Sequence, residues 1–175
     1  VSITIEKRIP WGAGLAGAST DAAAVIRGLA EVWEIPPDDV GLGAVARSLG
    51  ADVPFFLVGG AALYTGRGDV WARSVRSLES PVVIVKPDPP VPTAAAYAAY
   101  DRLGVVRSPS YAPLLDALEA GSAGRAAALL HNAMNAASAS IVPEISDALE
   151  LLEGAPGVLA SLMAGSGSAV FGLGP

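Results

Sequence analysis

Pro10-Trp11-Gly12-Ala13-Gly14-Leu15-Ala16-Gly17-Ala18-Ser19-Thr20-Asp21 is a run of small residues set between two regular patterns. Before it, Val1, Ile3 and Ile5 alternate with Ser2, Thr4 and Glu6, the period-two signature of a half-buried strand that Pro10 would end. After it, Val25, Ile26, Leu29, Val32 and Trp33 recur at helical spacing, with Ser19, Thr20 and Asp21 available as caps and a helix expected to start near Thr20. The run matches the G-x-G-x-x-G pattern at Gly12, Gly14 and Gly17, but a dinucleotide site also needs a continuously apolar strand leading straight into the first glycine. Here the preceding strand carries Glu6, Lys7 and Arg8, Pro10-Trp11 intervenes, and the acids that follow, Glu31 and Glu34, fall in or just after the helix rather than on a second strand. Two readings remain from these residues: an ordinary capped helix after a glycine-rich turn, or a phosphate cradle. In the latter, small residues admit the phosphate to the backbone and helix-start N–H groups point at it, with Ser19 and Thr20 adding hydroxyls toward phosphate or Mg²⁺.

Further along, Pro36-Pro37 closes the first helix, and Asp38 or Asp39 caps a second whose apolar stripe is Leu42, Val45, Ala46 and Leu49 and whose stop is Gly50. Asp52-Val53-Pro54-Phe55-Phe56-Leu57 leads to Gly59-Gly60 and a strand over Ala61–Tyr64. The polar segment Arg73–Ser80 is the expected boundary, dividing the chain into 1–79 and 80–175. Beyond it the pattern predicts a strand over Val82–Val85 and helices over Thr93–Arg102, Leu114–Ala120, Ser122–Ala139 and Pro143–Glu153. Strands over Val158–Met163 and Ala169–Leu173 flank Gly165-Ser166-Gly167-Ser168. The alternation points to an α+β protein in two lobes.

Composition narrows the chemistry. A mean hydropathy of +0.49 raises the question of a membrane. The longest uncharged stretch, Gly154–Pro175, carries six glycines, two prolines and three serines, so it reads as strand and loop; no membrane segment is expected. The net charge is −6, with Lys7 and Lys86 the only lysines, and no basic cluster exists to neutralise a nucleic-acid backbone. An acidic protein acting on an anionic nucleotide must then rely on backbone amides and a few chosen cations. With no cysteine and a single histidine, His131, disulfides and thiolate or multi-histidine metal sites are excluded and a Ser-His-Asp hydrolase is disfavoured. A cytoplasmic location is the default expectation.

Two further blocks change the ranking of the readings. Pro10 to Ala23 resembles the P-x-x-x-G-L-G-G-G-S-S-D-A-A phosphate loop of the galactokinase, homoserine kinase, mevalonate kinase and phosphomevalonate kinase (GHMP) superfamily. Gly50-Ala51-Asp52-Val53-Pro54-Phe55-Phe56 resembles the G-A-D-V-P-F-F block of its 4-diphosphocytidyl-2-C-methyl-D-erythritol kinase family, and Gly165-Ser166-Gly167-Ser168-Ala169 resembles the superfamily's third, glycine-rich motif. The resemblance implies a two-lobed fold, with a ribosomal protein S5 domain 2-like N-terminal lobe and a ferredoxin-like C-terminal lobe, both incomplete here. It implies transfer of the γ-phosphate of ATP, with Mg²⁺, to the 2-hydroxyl of a cytidine diphosphate-linked methylerythritol, in the non-mevalonate route to isoprenoid precursors. The partner is then a small molecule, with neither nucleic acid nor membrane. Within the resemblance two other outcomes stay open: another GHMP-type small-molecule kinase, or a non-catalytic nucleotide-binding relative.

Carried over to this chain, the nucleotide segment is Pro10, Trp11, Gly12, Ala13, Gly14, Leu15, Ala16, Gly17, Ala18, Ser19 and Thr20, with Lys7 as a basic residue beside the nucleotide and Asp21 near it. Asp52 matches the general base that takes the proton of the attacking hydroxyl; alone it would read as a helix cap or turn residue. Thr93 and Tyr97 match positions near the substrate's diphosphate and cytosine, although Thr93 could equally be an N-cap and Tyr97 a packed aromatic. Gly165 and Gly167 belong to the substrate side. Ala16 and Ala18 replace glycines often found in the loop; alanine avoids positive φ, so both are expected at ordinary negative φ.

The family's first strand, bearing a lysine and an asparagine, and its adenine-pocket segment do not lie in these residues. The chain opens on Val1 inside a strand pattern and closes two residues after an apolar run. The expectation is a segment of a protein roughly 100 residues longer, by the size such lobes need, which alone binds nucleotide weakly and turns over little. Among the remaining residues, Arg67-Gly68-Asp69 reads as the turn after the Ala61–Tyr64 strand. His131 and Asn132 read as packing residues in a helix. Trp11, Trp33 and Trp71 read as core or lobe-interface residues, with Trp11 also placed to shape the nucleotide site.

Overall fold

The computed structural model describes residues 1–104 and 108–175. They pack as two compact units: Val1–Ile9 with Ala16–Arg76, and Pro10–Leu15 with Ser77–Pro175. The units thus part after Arg76, and the short stretch Pro10–Leu15 packs with the second of them.

The first unit holds α1 (Gly17–Val32), α2 (Val40–Leu49), α3 (Val53–Val58) and the hairpin β1 (Ala61–Thr65) and β2 (Val70–Val75). Its core is small: Ala23 and Ile26 of α1, Ala46 of α2 and Val53 of α3, with Leu42, Phe56 and Leu57 packed against them. Of the apolar positions read from the sequence, Ile26 and Ala46 are buried, whereas Val32, Trp33, Val45 and Leu49 are exposed. Alanines carry the contacts that let the helices approach. Asp39 caps α2 by accepting a hydrogen bond from the Gly41 N–H at 2.7 Å. The hairpin turn is closed by Asp69, whose carboxylate accepts from the Arg67 backbone N–H at 3.1 Å and from its guanidinium at 3.3 Å. The Arg67 backbone N–H, first, holds the Asp69 carboxyl below the usual carboxylate range.

Four expectations are corrected here. Val1–Arg8 forms no strand, and every residue of it is exposed. A strand exists by pairing, and among the described residues β1 and β2 pair only with each other, so this segment has no ladder to join. Helix α1 begins at Gly17, not near Thr20, and its N-cap is Ala16 with no side-chain cap bond. The Thr20 hydroxyl bonds back to the Ala16 carbonyl at 3.1 Å, so it does not cap. Trp11, Trp33 and Trp71 are 81, 58 and 54% exposed, not core. The buried residues of the two cores are alanine, valine, isoleucine, leucine and methionine.

The second unit contains the antiparallel sheet of β3 (Val82–Val85), β4 (Ala160–Met163) and β5 (Val170–Leu173), ordered β3-β5-β4. Val82 pairs with Leu173 and Val85 with Val170, while Met163 pairs with Val170 from the other side. Five helices accompany it: α4 (Thr93–Leu103), α5 (Ala112–Glu119), α6 (Ala123–Ala127), α7 (Asn135–Ala139) and α8 (Glu144–Glu153). Ile145, Ala148 and Leu152 recur along one face of α8 and pack with Val91, Ala96, Val142, Met163 and Val170. The fourth correction lies here. The single helix expected over Ser122–Ala139 is broken into α6 and α7, because the Asn132 amide bonds to carbonyls outside any helix.

Ile145 is fully buried at the centre of this core. Ile145→Ala should cost about 2–5 kcal/mol of unfolding free energy, read as a lower midpoint in urea at unchanged slope. A loss under about 1 kcal/mol would show that the packing collapses around the gap.

Candidate active site

Pro10–Leu15 crosses the second unit beside the β4–β5 turn. The Gly12 carbonyl accepts from the Val91 N–H at 3.4 Å and the Ser168 N–H at 3.3 Å, and the Ala13 carbonyl accepts from the Ala169 N–H at 3.0 Å. Ala13 is buried by this pairing. At Gly14 the approach is closer than any side chain permits: an added Cβ would lie 2.1 Å from the Ala164 carbonyl oxygen and 2.8 Å from the Gly167 nitrogen. From the other side, a Cβ on Gly165 would lie 2.8 Å from the Gly14 carbonyl oxygen. The two glycine-rich segments, 150 residues apart in sequence, therefore meet backbone against backbone.

The β4–β5 turn is fastened from beneath. The Ala164 N–H donates to the Ala169 carbonyl and the Gly167 N–H to the Ala164 carbonyl, both at 2.9 Å. The Asn132 side-chain amide donates to the carbonyls of Met163 and Gly165, each at 2.8 Å, while its own oxygen accepts from the Met134 N–H at 2.9 Å. Buried Ser138 donates to the Ser166 carbonyl at 2.8 Å, and buried Ser168 reaches the Pro87 carbonyl at 3.4 Å. Sequence reading assigned Asn132 to helix packing and did not single out Ser138. Their partners lie 31 and 28 residues away, and no local pattern announces them.

Thr93 is the first residue of α4, whose N-cap is Pro92. Its hydroxyl lies 3.5 Å from that of Ser166, so it does not cap the helix. Tyr97, one turn on, is 57% exposed and not a packed aromatic.

In the first unit, the chain enters α1 through Ala16 at φ 50° and ψ 31°. This corrects the expected negative φ at Ala16; Ala18, inside α1, is not among the residues with positive φ. A left-handed alanine costs roughly 1–2 kcal/mol, and the Thr20 N–H and hydroxyl, both bonded to the Ala16 carbonyl, help to hold it. The amides of the first helical turn ahead of Thr20 have no intrahelical acceptor. Lys7 and Asp21 form an ion pair with each other, partly exposed on both sides. Asp52 stands at the N-cap position of α3 yet makes no cap hydrogen bond, and it is exposed. Its carboxylate is not used for the structural role that this position usually has. Among the described residues no three His, Cys, Asp or Glu side chains gather to hold a metal, and no helix is long and apolar enough to cross a membrane.

Two glycine-rich turns, one opening into a helix start, on an α+β scaffold of two units define a class. The chain belongs to the GHMP kinases: the model of their N-terminal domain matches residues 1–60 and that of their C-terminal domain residues 114–175. Among curated proteins it is similar to the 4-diphosphocytidyl-2-C-methyl-D-erythritol kinases of Desulfitobacterium hafniense, 41% identical over 173 residues, and Caldicellulosiruptor bescii, 38% identical over 173 residues. Each alignment covers 99% of this chain and 60% of the relative, so the chain spans about three fifths of their length. A crystal structure of 4-(cytidine 5'-diphospho)-2C-methyl-D-erythritol kinase superposes with a TM-score of 0.77 at 37% identity, over 96% of this chain and 59% of that one.

Two substitutions test this geometry. Gly14→Ala drives a methyl into backbone that cannot withdraw, and should separate the two turns. Amide exchange at Ser168 and Ala169 should rise at least tenfold; unchanged protection would mean that the contact is not close. Ala16→Gly removes the left-handed strain but adds unfolded-state freedom, and should leave stability unchanged or raise it by up to about 1 kcal/mol.

Proposed function

We propose that the protein carrying this chain is an ATP-dependent kinase that phosphorylates the 2-hydroxyl of 4-diphosphocytidyl-2-C-methyl-D-erythritol. One observation carries the reading: Gly14 of the loop is seated against the Ala164–Gly165 peptide with no room for a Cβ on Gly14 or Gly165. The chain runs from this contact into α1, whose first-turn amides ahead of Thr20 have no intrahelical acceptor and suit a bound polyphosphate. The relatives' names supply the acceptor.

In this reading Pro10–Thr20 cradles the phosphates of ATP, with Trp11 and Leu15 at its flanks and Ser19 and Thr20 contributing hydroxyls. Lys7 and Asp21 stand beside the nucleotide. Thr93, Tyr97, Gly165 and Gly167 serve the phosphoryl acceptor. Asp52 is the general base. It accepts the proton of the attacking hydroxyl as the new P–O bond forms and the bond to the departing ADP breaks. Mg²⁺ would arrive on the phosphates of ATP, which commonly leave only one or two protein oxygens to be supplied. Phosphoryl transfer of this kind depends on positioning and charge stabilisation more than on covalent chemistry. A cytoplasmic setting accords with a cysteine-free chain.

The test is phosphate transfer by the full-length protein, with homoserine and mevalonate offered as competing acceptors. Transfer to the cytidyl compound alone supports the proposal; preference for another acceptor replaces it with another GHMP kinase activity. Asp52→Asn should lower kcat by about 10²–10⁴-fold and leave the melting temperature unchanged, because Asp52 is exposed and caps nothing. Turnover near that of the unaltered protein would remove Asp52 from the mechanism.

A further inference from the structure

We infer that Asn132 and Ser138 are positioning residues of the active site: they fix the Gly165–Ser168 turn in the shape against which Gly14 seats. The inference rests on the proposed kinase reading for its effect on turnover, but its geometric part stands without it.

Asn132 spends both amide hydrogens on the turn, one on the Met163 carbonyl and one on the Gly165 carbonyl, each at 2.8 Å. These carbonyls flank Ala164, whose own carbonyl accepts from the Gly167 N–H at 2.9 Å and would meet a Cβ on Gly14 at 2.1 Å. The peptide that Gly14 touches is therefore gripped on both sides by one side chain. Ser138, with no exposed surface, adds a third hold at the Ser166 carbonyl, 2.8 Å away. That residue's hydroxyl in turn lies 3.5 Å from Thr93. Neither Asn132 nor Ser138 needs to touch a substrate for this. Each acts through carbonyls that it turns inward, away from any anion that the turn would receive.

The competing role for Asn132 is purely local. Its oxygen accepts from the Met134 N–H at 2.9 Å, a side-chain turn just ahead of α7. Aspartate performs that task as well as asparagine. It cannot perform the other, because a carboxylate has no N–H and would face two carbonyl oxygens. Asn132→Asp thus separates the two roles at nearly constant volume.

The experiment uses the full-length protein with Asn132→Asp and Ser138→Ala. For Asn132→Asp we expect amide exchange to quicken at Gly167, Ser168 and Ala169 while α8 stays protected. Transfer, measured as kcat/KM for the phosphoryl acceptor, should fall at least about tenfold, the size expected when the part-buried Met163 carbonyl loses its donor and both carbonyls face a carboxylate. Ser138→Ala should move the same quantities in the same direction by a smaller factor. Normal exchange and normal transfer in Asn132→Asp would overturn the inference and leave Asn132 a local turn residue. If that variant does not fold, Ser138→Ala decides, and normal values there overturn it equally. If the unaltered protein transfers phosphate to none of the acceptors, the kinase reading fails, and the exchange measurement still judges the positioning.

Discussion

The contact between Gly14 and the Ala164–Gly165 peptide is the constraint on which the meeting of the loop and the β4–β5 turn depends. No side chain mediates it, so nothing can rotate away to relieve a misfit. With a Cβ at Gly14 placed 2.1 Å from a carbonyl oxygen, and one at Gly165 placed 2.8 Å from another, the meeting requires glycine on both sides. What a flexible side chain would absorb must instead be absorbed by the backbone, and the backbone is held by the amide and hydroxyl of Asn132 and Ser138.

That division explains where strain is tolerated. Ala16 is left-handed although nothing demands an alanine there, and an energetic penalty of roughly 1–2 kcal/mol follows. The first helical hydrogen bond, from the Thr20 N–H to the Ala16 carbonyl at 2.9 Å, and the Thr20 hydroxyl bond to the same carbonyl at 3.1 Å help to offset it. Strain at such a position is the companion of a close fit beside it.

Elements whose signal is local were legible in the sequence. The helix expected over Pro143–Glu153 matches α8 almost to the residue, Arg67-Gly68-Asp69 marked the turn after β1 although not the strand β2 that follows it, and the glycine-rich segments marked the candidate site. What escaped was whatever is decided by a distant partner. Val1, Ile3 and Ile5 have the alternation of a strand, but alternation describes a face and not a neighbour, and none of the described strands pairs there. Asn132 sits in an alanine-rich run that favours helix, yet its amide finds carbonyls across the unit and the helix breaks. The backbone angle of Ala16 was misjudged for the same reason: propensity weighs a residue alone, while the loop's geometry is set from outside it.

Charge sharpens the picture of what this loop can hold. With a net charge of −6 and two lysines, the chain has little positive field to draw an anion in. Lys86 is spent on the carbonyl of Asp88 at 2.8 Å, and Lys7 is paired with Asp21. The start of α1 presents the unpaired amides of its first turn, whose pull on an anion is short-ranged and is screened by salt. An exposed ion pair contributes at most about 1 kcal/mol, so Lys7 and Asp21 part from each other at small cost, whereas a buried pair would resist. The seat of the loop, by contrast, rests on a contact of Gly14 with the Ala164–Gly165 peptide that admits no side chain on Gly14 or Gly165.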